Sequence, residues 1–501
     1  MSARSPVVSR FDESGEDDKF PSLRRPGNVQ TTWEIINDFS GGLGILQELN
    51  GSEHTPGYSF AGGAGCSGAT TLGATLFSAR RGVLLPPVAE TAAGALGTFT
   101  RFIEFSGAWY AVTSATPGVV YKWDADGDTP SVVETLTGAC TQLFQDGTTL
   151  YASQGAAGAC RITTDGATWT NAAYNSHCHA VRDEAIVVYM TGATLTPGDG
   201  YVDTVPIGYA STVATAIAYL GGGLFIGKPE GLYLFKQGRV SCVFPVYDQL
   251  ATTNFRHMVV HRGYLYFNVG SMIFYTNGSG HFAPVYPEHT SGFENVDGLF
   301  PTLGPLLISA RLRDTALTLK SFLMLFDGPD HFGLNPLWSD VDGSKPIVGC
   351  GATNVYDTTK ARVYLSQTGI GEKWLNLTLA YEPGAYHTNT AIGSWADLVP
   401  HTAATRVKNK IFTEVVVRVR NPNTTTFAQI WYSLDGGTLT QTLSAAAGGS
   451  AHTLTLSAGT VKTYLPSTVI GIGLKVRIYL WTTTTAPAGI THVNLVAKRH
   501  S

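Results

Sequence analysis

The sequence predicts an all-β fold: a β-propeller of about seven blades, with six as the alternative count, followed by an antiparallel β-sandwich. Three observations point there. First, a two-residue strand phrase recurs as Trp109-Tyr110, Leu150-Tyr151, Val188-Tyr189, Leu224-Phe225, Leu265-Tyr266, Leu306-Leu307 and Val363-Tyr364, with second residues 41, 38, 36, 41, 41 and 57 apart. A period of ~40–45 residues with about four strands per unit suits blades, each too small to bury both faces until it stacks on its neighbours. Second, aromatic and β-branched runs come in pairs closed by glycine turns, as hairpins require. The clearest are Leu224–Gly227 with Gly231–Gly238 and Leu265–Asn268 with Met272–Gly278. Third, the last 90 or so residues change to strict alternation. Val415, Val417 and Val419 oppose Glu414, Arg418 and Arg420, and Leu474, Val476, Ile478 and Leu480 oppose Lys475, Arg477, Tyr479 and Trp481. One apolar and one polar face per strand marks a sandwich.

Taken in order, residues 1–30 are polar, of mixed charge and without periodicity, and read as a flexible N-terminal arm. Residues 31–89 read as an irregular leader packed on the propeller, with a turn at Gly41-Gly42 and a stop at Pro86-Pro87. The propeller spans 90–385. Ring closure calls for a strand from the leader or from 386–400. The long spacing before Tyr364 reads as a loop insertion around Asp327–His331 and Pro336–Trp338. Residues 386–409 read as a linker, and 410–501 as a jelly-roll or Ig-like sandwich.

Composition bounds the function. Charged residues are only 14% of the chain against a usual ~25%, glycine is abundant at 57, and the net charge is −4. Steering toward nucleic acid is therefore not expected. The six cysteines are scattered without a CxxC and read as buried free thiols. No apolar signal segment opens the sequence and no apolar run is long enough to span a bilayer, so neither export by a signal nor a membrane span is expected.

Candidate chemistry is sparse. Thr164–Trp169 is one residue short of an Asp-box, a structural hairpin motif of sialidase-type propellers, and occurs once. Asp124, Asp126 and Asp128 resemble the start of a calcium loop, but Thr129 and Thr135 stand where Gly and Glu belong, so a solvated turn is the better reading. Asp340 and Asp342 are a weaker version. His177 and His179 share a face without further ligands, and His257 and His261 are too far apart on a strand to chelate together. Tyr479, Trp481, Trp431 and Tyr432 could form an exposed aromatic group for sugar, or pack on a neighbour. No nucleophile elbow, P-loop or dinucleotide fingerprint occurs. No catalytic, cofactor or metal residue is assigned, and no enzymatic activity is expected.

Two sections resemble tailed-bacteriophage virion proteins of the propeller-plus-sandwich type. One is Asn37-Asp38-Phe39-Ser40-Gly41-Gly42-Leu43-Gly44 with Arg80-Arg81-Gly82 and Leu85-Pro86-Pro87. The other is Ile411–Arg420, Tyr432-Ser433-Leu434-Asp435-Gly436-Gly437, Leu474–Leu480 and Thr482-Thr483. Ser67–Gly73 departs from the more polar text expected there. The resemblance implies a structural virion subunit, in a tail tip, baseplate or fibre. Its partners would be other virion proteins, copies of itself and, in one variant of the reading, host-surface glycan. The alternatives are a glycan-binding propeller, a head or neck protein and, last, a glycan hydrolase, which would need paired carboxylates ~5–9.5 Å apart in a cleft.

Overall fold

The computed structural model describes residues 96–380 and 410–499 apart from short loop segments, with 30–36, 58–63, 77–79, 83–86, 88–92 and 394–398 and the single residues 384, 386 and 388. The arm at 1–29 lies outside the described residues. Seven four-stranded antiparallel sheets form a closed propeller. Blade one comprises Phe99–Phe105, Ala108–Thr113, Val119–Trp123 and Ser131–Thr135. Blade two comprises Gln142–Gln145, Leu150–Ser153, Arg161–Thr163 and Thr170–Asn171. Blade three comprises Cys178–Arg182, Ile186–Thr191, Thr194–Thr196 and Val205–Pro206. Blade four comprises Ala216–Leu220, Gly223–Lys228, Gly231–Lys236 and Arg239–Pro245. Blade five comprises Met258–His261, Tyr264–Val269, Met272–Thr276 and Ala283–Pro284. Blade six comprises Phe293–Phe300, Leu306–Arg313, Leu319–Phe326 and Leu334–Asp340. Blade seven comprises Ile347–Thr353, Lys360–Gln367 and Gly371–Thr378, and takes its outer strand, Glu90–Ala92, from the leader.

All seven sequence phrases fall on the second strand of a blade. The first strands touch one another in a continuous ring and so line the central channel. They all run the same way, so one face of the disc, here the upper face, carries the loops that lead into them. The long spacing before Tyr364 is not mainly an insertion. Blade six has strands of 8, 8, 8 and 7 residues, where blade two has 4, 4, 3 and 2.

The leader departs from expectation. Apart from Glu90–Ala92 and a bridge from Val88 to Tyr386, its strands pair within the sandwich rather than the propeller. Gln30–Ile36 pairs with Gly489–Arg499, and Tyr58–Gly63 with Ser394–Leu398. Phe77–Ala79 pairs with Val83–Leu85, and Leu84 meets Ile490. Ser394–Leu398, inside the expected linker, is itself a sandwich strand against Leu474–Thr482. The physical reason is edge satisfaction. The C-terminal strands alone leave open edges with unpaired N–H and C=O groups, and the leader covers them. The sandwich thus has a seven-stranded and a six-stranded sheet drawn from both ends of the chain.

Val415, Val417, Val419, Leu474, Val476, Ile478 and Leu480 are buried as their alternation requires. The same apolar cluster contains the leader's Leu84 and Leu306, Ile308, Phe322 and Met324 of blade six. Propeller and sandwich therefore share one apolar core, in which each fully buried large side chain contributes about 1.5–3 kcal/mol.

The closing strand is locked by charge. Glu90 Oε1 lies 2.9 Å from Lys373 Nζ, both side chains nearly fully buried. The other carboxylate oxygen accepts from Trp338 Nε1 of blade six, and Lys373 Nζ sits 5.0 Å over the Trp338 ring. One leader carboxylate thus joins the last blade to its neighbour.

Candidate functional site

Most residues singled out in the sequence serve the fold. Asp165 Oδ1 accepts from Ala167 N at 2.8 Å, Thr168 N at 2.7 Å and Thr163 Oγ1 at 2.9 Å. These bonds hold its carboxyl well below the usual range. Gly166 has φ +73°, and a Cβ there would collide with the Tyr110 hydroxyl. Trp169 is buried between blades one and two. The partial Asp-box is a turn. Asp124 pairs with Lys122 at 2.8 Å, while Asp126 and Asp128 lie outside the described residues. Asp340 accepts from Gln367 Nε2 at 2.9 Å, and Asp342 lies outside.

His177 and His179 are committed to blade contacts. His177 Nδ1 accepts from Gly192 N at 3.1 Å. His179 Nδ1 lies 2.9 Å from Ser153 Oγ and Nε2 lies 3.3 Å from Tyr174 Oη. Burial pushes His179 down to about 4. Among the described residues no group of three or more His, Cys, Asp or Glu side chains is suited to a metal ion. The sandwich aromatics are not an exposed group. Tyr432 and Trp481 are buried, Trp481 stacks on Phe427, and Trp431 meets Tyr479 edge-on. Of the described cysteines, all unbonded, Cys242 is exposed, against the expectation that all are buried, and Cys66 lies outside.

Among the described residues, a group of charged and titratable side chains without a partner in the fold lies at the upper mouth of the channel. Arg101 stands on the first strand of blade one, and Arg256 and His257 immediately precede the first strand of blade five. Blades one and five are three steps apart on a ring of seven, so these groups face each other across the axis. Neither guanidinium makes a hydrogen bond or ion pair among the described residues. Arg101 is lowered by burial and then by Arg256. His257 is pushed down to about 3 by burial and then by both arginines, so it is neutral at ordinary pH. Cys140 of neighbouring blade two, close enough to feel Arg101, is pushed up to about 12 by burial.

The described carboxylate that interacts with Arg256 is already paired. Asp297 sits in a β-bulge between Val296 and Gly298. Arg311 Nε and Nη2 donate to it at 2.9 and 3.1 Å. It also feels Arg256, yet burial outweighs both attractions and its carboxyl is raised.

The Arg256 loop is rigidly held. Asn254 Nδ2 donates to Pro229 O at 3.1 Å, and Asn254 Oδ1 accepts from Gly270 N at 3.0 Å. Asn268 Nδ2 donates to Thr253 O, and Asn268 Oδ1 accepts from His257 N, both at 3.0 Å. Phe255, at φ +55°, is fully buried against Phe267, and its Cβ would lie 2.4 Å from a Cβ at Gly227. That contact explains glycine at position 227. Around the mouth the same face exposes Tyr209, Val213, Tyr247 and Leu250 on the loops into blades four and five. Buried Lys228 pins the Tyr209 loop by donating to Ile207 O at 2.6 Å and pairing with Glu230 at 3.2 Å.

Spacing and motif reading missed Arg101 and Arg256, because lone arginines in a strand and a loop carry no pattern. The only signal was placement: each sits at the start of a first strand.

No protein-family model matches the chain, and no curated protein matches it. Among solved structures, the chain is similar to the WD40 repeats of RRP9, with 9% identity, 59% of this chain and 99% of that chain covered, and a TM-score of 0.42. A computationally designed protein, Ika8, gives 10% identity, 57% and 98% coverage, and a TM-score of 0.38. The extracellular domain of BT4673 from B. thetaiotaomicron gives 11% identity, 74% and 47% coverage, and a TM-score of 0.40.

Proposed function

We propose that the chain is a non-enzymatic structural subunit of a phage particle, in its tail tip, baseplate or fibre, that assembles with other virion proteins and with copies of itself. Beyond the resemblance, one observation carries this reading. Gln30–Ile36 is an edge strand, paired on one side only among the described residues, and a 29-residue stretch rich in charged and polar side chains precedes it. An open sheet edge continuing into a charged arm suits strand addition or arm exchange between neighbouring subunits. The low charged fraction, 14%, agrees with a chain that contacts partners over large areas.

The test is light scattering of the full chain beside one starting at Gln30, which keeps every described strand. Assembly of the full chain that is lost on truncation supports arm-mediated assembly. Assembly in both puts the contact on the folded body and keeps the subunit reading. Two stable monomers at tens of micromolar overturn it.

A second reading, recognition of host-surface glycan, draws on a separate observation. Tyr209 and Tyr247 are 63% and 83% exposed on one face of the disc. Aromatic rings held on ordered loops can stack on sugar faces. Binding to a polysaccharide panel that disappears in Tyr209→Ala and Tyr247→Ala supports it, and an empty panel removes it.

A further inference from the structure

We propose that the upper mouth of the channel is an oxyanion site, which takes a carboxylate or phosphate group between Arg101 and Arg256 with His257 as an N–H donor. The argument starts from cost. Two like charges on opposite sides of the channel mouth repel one another, and the half-buried Arg101 guanidinium gives up hydration without an acceptor, while Arg256 is exposed and open to a ligand. Here the arrangement is enforced: Asn254, Asn268 and Phe255 fix the loop carrying Arg256, and Arg101 lies within a sheet. An anion on the axis would remove the repulsion and satisfy both groups at once.

The charge balance at this end supports the assignment. The first strands of blades two, four and seven carry no charged residue. On blade six, Asp297 is bound by Arg311, and Glu294 is exposed with a partner of its own. Glu104 lies toward the other end of its strand and accepts from Thr353 Oγ1 at 3.2 Å. Arg182 and Asp183, ending the blade-three strand, pair with each other at 3.2 Å. Among the described residues of these first strands and their approaches, Arg101 and Arg256 are therefore the charges at the upper mouth without a carboxylate of their own. A guanidinium presents a planar fork of donors matched to the oxygens of a carboxylate or phosphate, which is the geometry an axial ligand would meet from both walls. A neutral imidazole adds a donor without adding to the repulsion.

The test is calorimetric titration of the full chain with inorganic phosphate and, separately, with citrate, at constant ionic strength. Thermal melts of each variant accompany it. Saturable binding of either anion is expected, weakened at least tenfold in Arg101→Gln and in Arg256→Gln and unchanged in Arg362→Gln, whose guanidinium lies 4.8 Å over Trp374 away from the channel. Which anion binds separates a phosphate-bearing ligand from a carboxylate-bearing one. Without anion, both channel variants should melt no lower than wild type, because each removes a repulsion. That result also shows that they fold. Absence of saturation with both anions, or binding that survives in the double variant, overturns the proposal.

Discussion

Two interfaces between neighbouring blades solve the same packing problem by different chemistry. Between blades six and seven the contact is aliphatic: Leu323, Leu325, Leu337, Ile347, Val363, Leu365, Leu375 and Leu377 are all buried, around Trp338. Between blades two and three it is aromatic and polar. His179 lies parallel to Phe144 with centroids 5.7 Å apart and 5.0 Å from Tyr151, while Tyr174 stacks on Tyr189 at 4.0 Å. Ser153, Ser176 and Gln142 supply hydrogen bonds there, Gln142 Oε1 accepting from His179 N at 2.5 Å. The short strands of blade two offer too little area for a wholly aliphatic contact, so directional bonds and ring stacking take over. The tall blade six has area to spare and also carries the sandwich.

The largest effect should come from the clasp. Glu90→Ala leaves Lys373 buried without its carboxylate and is expected to cost about 3–5 kcal/mol in chemical denaturation. Replacing both Glu90 and Lys373 with Met should recover much of that loss. An unchanged midpoint in the single variant would show that the closing strand is held by backbone pairing alone.

Next, Leu325→Ala between the aliphatic blades should cost about 2–5 kcal/mol. Leu143→Ala, in the smaller apolar cluster that short blade two shares with blade one, should cost less. Equal losses would show that blade height does not set how much a core leucine contributes.

The polar interface should also be the one that fails in acid. His179 is held neutral down to about 4, so the unfolded chain, with an ordinary imidazole near 6.5, binds the extra proton first. Stability from this residue is complete above about pH 6.5 and falls as pH drops toward 4, by up to about 3 kcal/mol. Acid titration of His179→Gln should lack that limb.

The smallest effect has the opposite sign. Burial raises Glu372 to about 7, and its oxygens have no hydrogen-bond partner among the described residues. The folded chain keeps this proton up to about pH 7 where the unfolded chain loses it near 4.5, so stability falls as pH rises through that range. Glu372→Gln should raise the melting temperature at pH 8 and leave it nearly unchanged at pH 4.5. A lower value at pH 8 would reveal a role for the charged form.

The sequence made the repeating part legible and the joining part opaque. Each blade is built from strands close in sequence, so Tyr110, Tyr151 and Tyr266 announce their blades through local periodicity. The alternation of Val415 to Val419 likewise declares a strand with one buried face. Nothing local says that Trp33 will lie beside Leu495, or that Glu90 will reach Lys373. Those pairings depend on which edges remain open once everything else has folded. The channel mouth is opaque for the same reason. Arg101 and Arg256 are 155 residues apart and meet only through closure of the ring.

The strand Gln30–Ile36 has a consequence for biosynthesis. Its partner, Gly489–Arg499, is made at the far end of translation. At roughly 5–20 residues per second the nascent leader waits on the order of half a minute or more for that partner. Blades one to six can form as they emerge, since each is closed by local hairpins. The leader strands must meanwhile stay unpaired beside growing β-sheet, which makes them the part of the chain most exposed to chaperones and to mispairing on a crowded polysome.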